Sequence, residues 1–311
     1  MNKDIIFLTP VCTHNIWGGT RLNREFGYPI EGDDIGECWG ISAHPNGDGT
    51  VASGAYKGMK LSELWEKHPE LFGDTGMDRF PLLVKIIDAK DDLSIQVHPD
   101  DAYAKAHENG SLGKTECWFI LDCKENATLV VGHNAKTKEE LEQMIHEGRW
   151  KEFIREIPIK PGDFIQIDPG TVHAIKGGTL LLETQQSSDI TYRVYDYDRL
   201  SNGKPRQLHI TQSIDVITVP AKSAENSVVH TEKKDDAIQQ LICCPYYTVY
   251  RIDVEHRVET WQDKPFVLMS VVEGEGTLNG TPLKKGDHLI LPDGYGKVEL
   301  QGRMQIIAST I

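Results

Sequence analysis

The chain has 311 residues, of which 39% are hydrophobic, so it is long enough to bury a sizeable core in one or two domains. Its 47 acidic and 33 basic residues give a formal net charge of −14, which argues against nucleic acid or an anionic membrane as a partner. No apolar stretch approaches the roughly 18 residues of a membrane-spanning helix, and no signal peptide is apparent, so we expect a cytoplasmic protein.

Most of the chain consists of short apolar segments separated by Gly, Pro, Asn and Asp at intervals of roughly ten residues. This pattern predicts a mainly β protein built as a sandwich or barrel. Three segments with helical spacing interrupt it, at residues 62–67, 100–107 and 137–153. The first and third open with Ser or Thr followed by acidic residues, as helix N-termini do. We therefore predict a few helical insertions on a β scaffold.

The six cysteines form no CxxC pair and lie in apolar, strand-like segments. This arrangement argues against a zinc–thiolate site. It favours reduced, buried thiols.

An internal repeat relates residues 161–170 to residues 285–294. In both copies a Gly-Asp turn leads into an apolar strand that ends at a Pro/Gly corner, and a matching apolar segment precedes each copy, at residues 116–121 and 267–276. Chance reuse of Gly-Asp turns is the alternative explanation, but it does not account for the turn and the corner agreeing together.

The two units resemble the cupin family of small jelly-roll barrels, whose second signature reads Pro-Gly-Asp, a strand, and Pro-x-Gly-x-x-His. Residues 161–173 match this signature and end in His173, whereas Lys297 stands at the equivalent place in the second copy. The resemblance implies two cupin barrels with a few helical insertions. We expect a metal-binding lobe at residues 1–220 and a degenerate lobe without metal ligands at residues 221–311, connected by the polar segment 205–240.

Four residues are candidate metal ligands. In the strand-like segment 93–99, period-two alternation puts Gln96 and His98 on one face. Glu116 heads the next apolar strand, and His173 completes the set. Each residue alone is more simply a solvated or capping group, but two imidazoles, a carboxylate and an amide oxygen together suit Zn²⁺, and the same ligand types suit Fe²⁺ or Mn²⁺.

Several motifs are similar to those of the type I mannose-6-phosphate isomerases, in their short bacterial form. The similarity is dense over residues 9–200, while the second lobe is similar only to cupins in general. The motifs lie at residues 15–19, 36–39, 94–100, 113–118 and 183–193.

This resemblance implies one Zn²⁺ per chain, held by Gln96, His98, Glu116 and His173, and an active-site arginine at Arg193. It implies a small sugar phosphate as substrate, and a monomer or homodimer. Longer members of the family carry a His where this chain has Gly113, and they carry a large helical domain that is missing or much reduced here. Any role of that His or that domain is therefore absent from this chain.

Interconversion of an aldose and a ketose phosphate removes a proton from one carbon and returns it to its neighbour through an enediol, which is general acid/base work. The candidates for moving the proton are Lys114, Asp189 and Glu183, and the sequence does not rank them. Arg193 would stabilise the enediolate or bind phosphate, unless it forms a structural ion pair with a nearby Asp. Lys85, Ser94 and Arg199 are further candidates for reaching the phosphate.

Two other functions fit the same residues. An iron-dependent cupin dioxygenase would use an overlapping ligand set, and a non-catalytic sugar-phosphate binding protein would keep the pocket without the reaction.

Overall fold

The protein is mainly β, as the sequence predicts, in a computed structural model that describes residues 4–224 and 227–311. Within these residues there are 23 strands and six α-helices. The first twelve strands are β1 (Ile6–Thr9), β2 (Val11–Gly19), β3 (Ile35–Ile41), β4 (Thr50–Val51), β5 (Leu82–Ala89), β6 (Ile95–Val97), β7 (Glu116–Cys123), β8 (Thr128–His133), β9 (Ile154–Pro158), β10 (Asp163–Ile167), β11 (His173–Ala174) and β12 (Thr179–Gln186).

The second half of the chain supplies the other eleven strands and the last helix. The strands are β13 (Tyr192–Tyr195), β14 (Leu200–Ser201), β15 (Lys204–Pro205), β16 (Val228–His230), β17 (Ala237–Cys243), β18 (Thr248–Val254), β19 (Arg257–Gln262), β20 (Val267–Leu278), β21 (Thr281–Lys284), β22 (His288–Leu291) and β23 (Gly296–Thr310). The helices are α1 (Arg21–Phe26), α2 (Leu61–Lys67), α3 (Asp101–His107), α4 (Lys138–His146), α5 (Trp150–Phe153) and α6 (Ile210–Val216), and a 3-10 helix spans Pro69–Phe72.

Two barrels pack against each other. A seven-stranded sheet in the order β16-β10-β7-β12-β5-β2-β3 and a five-stranded sheet in the order β13-β6-β11-β8-β9 enclose the first core, which includes Trp118 and Leu181. A nine-stranded sheet containing β17, β18, β23, β20, β22, β1 and β4 encloses the second core, which includes Leu289. Alternate side chains of the facing strands, such as Phe119 and Ile290, form a further apolar layer between the barrels.

Strands are exchanged between the two halves of the chain. The N-terminal β1 pairs with β22, and Ile6 lies opposite Ile290, whereas β16 adds to the first sheet beside β10. The connecting segment 205–240 contains α6 and β16, and its residues 225 and 226 lie outside the described part of the chain. The division into residues 1–220 and 221–311 stays a prediction.

The internal repeat is present as one turn built twice. Gly162 and Gly286 have φ angles of 89° and 94°, a left-handed conformation that a glycine adopts without strain. The carboxylate of Asp163 accepts the backbone N–H of Lys160 at 3.0 Å, and that of Asp287 accepts the backbone N–H of Lys284 at 2.8 Å. The same Asp side chain therefore closes the same turn in both barrels.

The three predicted helical segments are helical. Asp100 caps α3 by accepting the backbone N–H of Tyr103, and Thr137 caps α4 in the same way. The segment predicted as one helix over 137–153 is split into α4 and α5, because Gly148 adopts a φ of 66° between them. Helices α1 and α6 were not predicted.

The prediction that all cysteines are reduced and buried holds only for Cys117, since Cys123 and Cys244 are free but only partly buried. Cys12 and Cys38 are joined as a disulfide, and Cys243 is exposed. Cys12 and Cys38 lie directly opposite each other on β2 and β3. Their separation in sequence gives no sign of this contact, because strand register decides it.

Among the described residues, no helix is both long and apolar enough to span a bilayer.

Candidate active site

The four predicted metal ligands meet at one end of the first barrel. Gln96 lies in β6 and His98 follows that strand, while Glu116 begins β7 and His173 begins β11. Antiparallel pairing places His173 opposite Gln96, and the backbone N–H of Gly170 donates to the carbonyl of His98 at 2.9 Å. The ligand atoms of His98, Glu116 and His173 lie within 4.8 Å of one another, and all three residues are buried.

The Nε2 atoms of the two imidazoles lie close together beside Lys114. His173 Nδ1 lies 2.9 Å from the carbonyl oxygen of Thr171, which only accepts, so Nδ1 carries the proton and Nε2 is free to bind a metal. His98 Nε2 accepts from Lys114 Nζ at 2.9 Å and lies 3.1 Å from His173 Nε2. Burial lowers the pKa of both imidazoles, that of His98 to about 3, so both are neutral at pH 7.

Glu116 supplies the negative charge of this cluster. Its carboxylate oxygens lie 3.3 Å from His173 Nε2 and 3.4 Å from His98 Nε2, and Lys114 Nζ also contacts it. Burial alone raises the pKa of Glu116. The positive charge of Lys114, together with the neighbouring His98 and His173, outweighs burial, so this pKa lies well below its usual value.

This donor set fits a divalent metal ion. The Nε2 atoms of the two neutral imidazoles lie 3.1 Å apart and close to Glu116 Oε1, which has no hydrogen-bond partner among the described residues. Gln96 is close enough to add its amide oxygen, since its carboxamide lies 3.3 Å from His173 Nε2. Two nitrogen donors with carboxylate and amide oxygens suit Zn²⁺, Fe²⁺ or Mn²⁺.

A cavity of about 220 Å³ opens beside the cluster. A wider depression of about 1070 Å³ lies on the second barrel among residues such as Glu275 and Lys284, and contains no predicted site residue. Five predicted site residues line the smaller cavity: Gln96, Lys114, Glu183, Asp189 and Arg193.

Glu183 is the buried acid of this cavity. Its Oε2 accepts a hydrogen bond from Trp118 Nε1 at 3.0 Å, whereas Oε1 has no hydrogen-bond partner in the described part of the chain. Burial and the negative charge of Glu116 raise the pKa of Glu183 against the opposing charges of Lys114 and Lys85. A carboxylate with a raised pKa and a free oxygen is suited to take up and return a proton.

Glu37 and Trp39 were missed as cavity residues by reasoning from the residues. Lys85 Nζ lies 3.6 Å from a carboxylate oxygen of both Glu37 and Glu183 and 4.9 Å from the centre of the Trp39 ring. Trp39 Nε1 donates to Glu37 at 2.7 Å. The motif at residues 36–39 could have pointed to both residues, but it contributes only to the family resemblance.

Arg193 does not form an ion pair with a nearby Asp, which was the alternative to a role in the active site. Its Nη1 donates to the carbonyl of Gln207 at 2.9 Å and its Nε to Ser94 Oγ at 3.3 Å. Among the described residues no carboxylate pairs with Arg193, since Asp196 is bound by Arg199 and Arg206. Arg193 therefore keeps donors for a substrate, whereas Arg199 is occupied by Asp196.

Asp189 lies at the edge of the cavity and is contacted by a loop that sequence reasoning missed. Asn46 Nδ2 donates to one of its carboxylate oxygens, and His44 Nε2 lies 3.4 Å from the other. No motif or spacing in the sequence points to His44 as a site residue.

Gly113 has no room for a side chain. A Cβ there would lie 2.5 Å from the backbone of Asp100 and Asp101, at the start of α3. The backbone N–H of Gly113 also donates to Asp101 at 2.7 Å. The glycine at this position, where longer family members carry a His, is thus explained by the close approach of α3 to the backbone of residue 113.

A buried His–Glu–His cluster at the end of a cupin barrel, beside a small polar cavity, defines a metal-binding cupin protein. Comparison with known proteins is more specific. The family model for the phosphomannose isomerase type I catalytic domain matches residues 5–121, and the model for the mannose-6-phosphate isomerase cupin domain matches residues 237–311.

The chain is 51% identical to mannose-6-phosphate isomerase ManA of Bacillus subtilis over 99% of both chains. It is 48% identical to mannose-6-phosphate isomerase of Streptococcus mutans, over 98% of this chain and 97% of that protein. The crystal structure of the mannose 6-phosphate isomerase from Bacillus subtilis superimposes with a TM-score of 0.92 at 49% identity, covering 99% of each chain. The chain therefore belongs to the type I phosphomannose isomerase family, which confirms the predicted resemblance.

Proposed function

We propose that this protein is a zinc-dependent aldose–ketose isomerase that interconverts mannose 6-phosphate and fructose 6-phosphate. One observation carries the proposal: the buried cluster of His98, Glu116 and His173 adjoins a cavity that also contains an acid, Glu183, and an unpaired cation, Arg193. The names of the relatives, both mannose-6-phosphate isomerases, support mannose 6-phosphate as the aldose.

The reaction moves one proton between C2 of the aldose and C1 of the ketose through an enediol, and the oxygen substituents exchange protons to match. No net oxidation occurs, so no redox cofactor is needed. We assign the carbon proton to Glu183, because its raised pKa makes it a better base than an ordinary carboxylate and its Oε1 accepts no hydrogen bond from the described residues, with Lys85 Nζ 3.6 Å away. Trp118 fixes the orientation of this carboxylate by donating to its other oxygen.

The metal would be held by His98, Glu116 and His173 with Gln96, and when bound it supplies a Lewis acid for the sugar oxygens. Arg193, which is half-buried and has no acidic partner among the described residues, would bind the phosphate or the enediolate. Ser94 lines the same cavity and holds the Arg193 side chain. Lys114, in contact with Glu116 and His98, balances the negative charge of the cluster.

The test is a coupled assay that follows fructose 6-phosphate formed from mannose 6-phosphate by the purified protein. We expect turnover that a chelator abolishes and Zn²⁺ alone restores, without oxygen. Glu183→Gln should lower kcat by roughly 10²–10⁴-fold, the usual contribution of a general base. Turnover that is unaffected by both chelator and Glu183→Gln would contradict the site assignment.

The same preparation separates the other functions. Bound iron with oxygen consumption and no isomerisation would indicate a dioxygenase, and sugar-phosphate binding without turnover would indicate a binding protein. One zinc per chain is measured by elemental analysis. The cytoplasmic location and the monomeric or homodimeric state stay predictions, and light scattering decides the second.

A further inference from the structure

The loop of residues 42–49, between β3 and β4, has a conformation set by its own hydrogen bonds. The carbonyl of Ser42 accepts the backbone N–H of Gly49 at 2.8 Å, and the carbonyl of His44 accepts that of Gly47 at 2.9 Å. The Ser42 hydroxyl also accepts the backbone N–H of His44 at 3.1 Å. The side chains of His44 and Asn46 are therefore presented from a defined turn.

Both carboxylate oxygens of Asp189 are contacted by this turn. Asn46 Nδ2 donates to Oδ2, and His44 Nε2 lies 3.4 Å from Oδ1. Asp189 lines the active-site cavity, whereas neither loop residue does. His44 and Asn46 thus lie behind the residues that line the cavity and do not line it themselves.

The ring proton of His44 lies on the nitrogen that faces Asp189. His44 Nδ1 is 3.2 Å from the backbone nitrogen of Asn46, whose N–H donates to it, so Nδ1 is an acceptor and Nε2 carries the hydrogen. Burial, together with the positive charges of Lys85 and Arg79, lowers the pKa of His44 against the opposing charge of Asp189. The Nε2–H of the neutral imidazole therefore faces Asp189 Oδ1 at an Nε2–Oδ1 distance of 3.4 Å.

The loop is seated directly on another cavity residue. The His44 ring packs edge-on against Trp39 with the ring centres 5.8 Å apart. A Cβ at position 47 would lie 2.5 Å from Trp39 Cε3, so the loop can pack this closely on Trp39 only with a glycine at this position. Trp39 is itself held by its hydrogen bond to Glu37. The donors to Asp189 consequently have a fixed position relative to the cavity.

We propose that His44 and Asn46 are positioning residues for Asp189, and this rests on the proposed isomerase function. They hold the carboxylate because Asn46 Nδ2 donates to Oδ2 and His44 Nε2 lies 3.4 Å from Oδ1, and each oxygen keeps a lone pair for the substrate. Asp189 then accepts a proton from a sugar hydroxyl and returns it to the same sugar, so that the proton balance closes. This hydroxyl exchange is separate from the carbon proton assigned to Glu183.

Steady-state kinetics of the metal-loaded protein with mannose 6-phosphate test the proposal. Asp189→Asn should lower kcat by roughly 10²-fold or more, as expected when a proton-transferring group is lost. His44→Ala and Asn46→Ala should each lower kcat by roughly tenfold with KM changed less than twofold, because they act through Asp189 and do not touch the substrate. His44→Gln, which keeps a donor, should recover most of the loss.

A double variant separates positioning from a general structural effect. In the Asp189→Asn background, His44→Ala should cause no further loss of kcat, since the carboxylate it orients is gone. His256→Ala removes an exposed imidazole that lies 3.3 Å from Asp236 on the second barrel and should leave kcat unchanged. Melting temperature and metal content are measured for every variant.

The outcomes are distinguishable. Wild-type protein without turnover would overturn the proposed function and this inference with it. Normal turnover in Asp189→Asn or in His44→Ala would overturn the inference alone. An equal loss from His44→Ala in both backgrounds would also overturn it, because the effect would then not pass through Asp189.

Discussion

The two barrels share a turn but differ in what their strands present to the interior. Glu116 of β7 lies opposite Ile167 of β10, and Val267 of β20 lies opposite Leu291 of β22. Ile167 and Leu291 are equivalent in the repeat, so Val267 occupies the position of the metal-binding carboxylate. The Gly-Asp turn therefore maintains the barrel, and ligand chemistry is a separate property of single side chains.

The same contrast extends to the cavities. The first barrel opens into a cavity of about 220 Å³ lined by charged groups, and the second into a cavity of about 180 Å³ lined largely by apolar residues such as Val267 and Met269. At the position of His173, the second barrel has Lys297, which is exposed and pairs with Glu259 at 3.3 Å. Because Val267 stands where the first barrel has Glu116, no carboxylate at that position needs a cation.

Buried histidines show a third difference. His98 and His173 face each other in the first barrel with their Nε2 atoms 3.1 Å apart. His288 in β22 is equally buried, but Ser270 Oγ lies 2.8 Å from its Nδ1 and Tyr28 OH lies 2.7 Å from its Nε2. A buried imidazole with two protein partners is structural, whereas two imidazoles whose Nε2 atoms lie beside a buried carboxylate fit a metal site.

The largest expected effect comes from substituting His173 in the first barrel, compared with substituting the equivalent Lys297 in the second. His173→Ala should lower bound metal from one per chain toward zero and reduce turnover by roughly 10³-fold or more, since a Lewis acid contributes several kcal/mol. Lys297→His should not add a second metal, because Val267 supplies no carboxylate. Elemental analysis and the coupled assay measure both, and a second metal in Lys297→His would break the comparison.

The next effect concerns the cations at the two cavities. Arg193→Ala should lower kcat/KM by roughly 10²–10³-fold, the usual loss when a donor to developing negative charge is removed. Lys264→Ala, at the cavity of the second barrel, is the matched control and should be neutral. Equal losses in both variants would mean that the second cavity also takes part in the reaction.

The pH dependence of the unfolding free energy should reveal the contribution of the buried His288. Burial lowers the pKa of His288 to about 4 from 6.5, so as pH falls below 6.5 the unfolded chain binds a proton before the folded protein does. Stability is therefore lost between pH 6.5 and pH 4, by about 3 kcal/mol for this group at 1.36 kcal/mol per pKa unit. Urea unfolding across this range should show a shallower pH dependence in His288→Gln, and an unchanged slope would contradict the assignment.

The smallest effect compares the two copies of the turn. Alanine at Gly162 or Gly286 places a Cβ on a left-handed residue, which costs about 1–2 kcal/mol of folding free energy. Gly286→Ala should cost roughly 1 kcal/mol more, because its Cβ would lie 2.6 Å from the carbonyl oxygen of Phe26, whereas the nearest atom to a Cβ at Gly162 is 3.1 Å away. Equal unfolding free energies of the two variants would mean that this contact relaxes freely.

The sequence by itself determined the features that depend on local patterns. Apolar periodicity predicted the β architecture and three helical segments, and the repeated turn predicted two related barrels. The spacing of His98, Glu116 and His173 identified one buried cluster, because strand alternation and the cupin corner leave little freedom in where these side chains point.

Only the tertiary structure decided contacts between segments that are distant in sequence. The disulfide of Cys12 and Cys38 depends on the register of β2 and β3, and the pairing of β1 with the second barrel depends on chain topology. His44 and Asn46 reach Asp189 across more than 140 positions of sequence. Such contacts follow from how whole strands pack, and residue pattern and spacing alone do not reveal them.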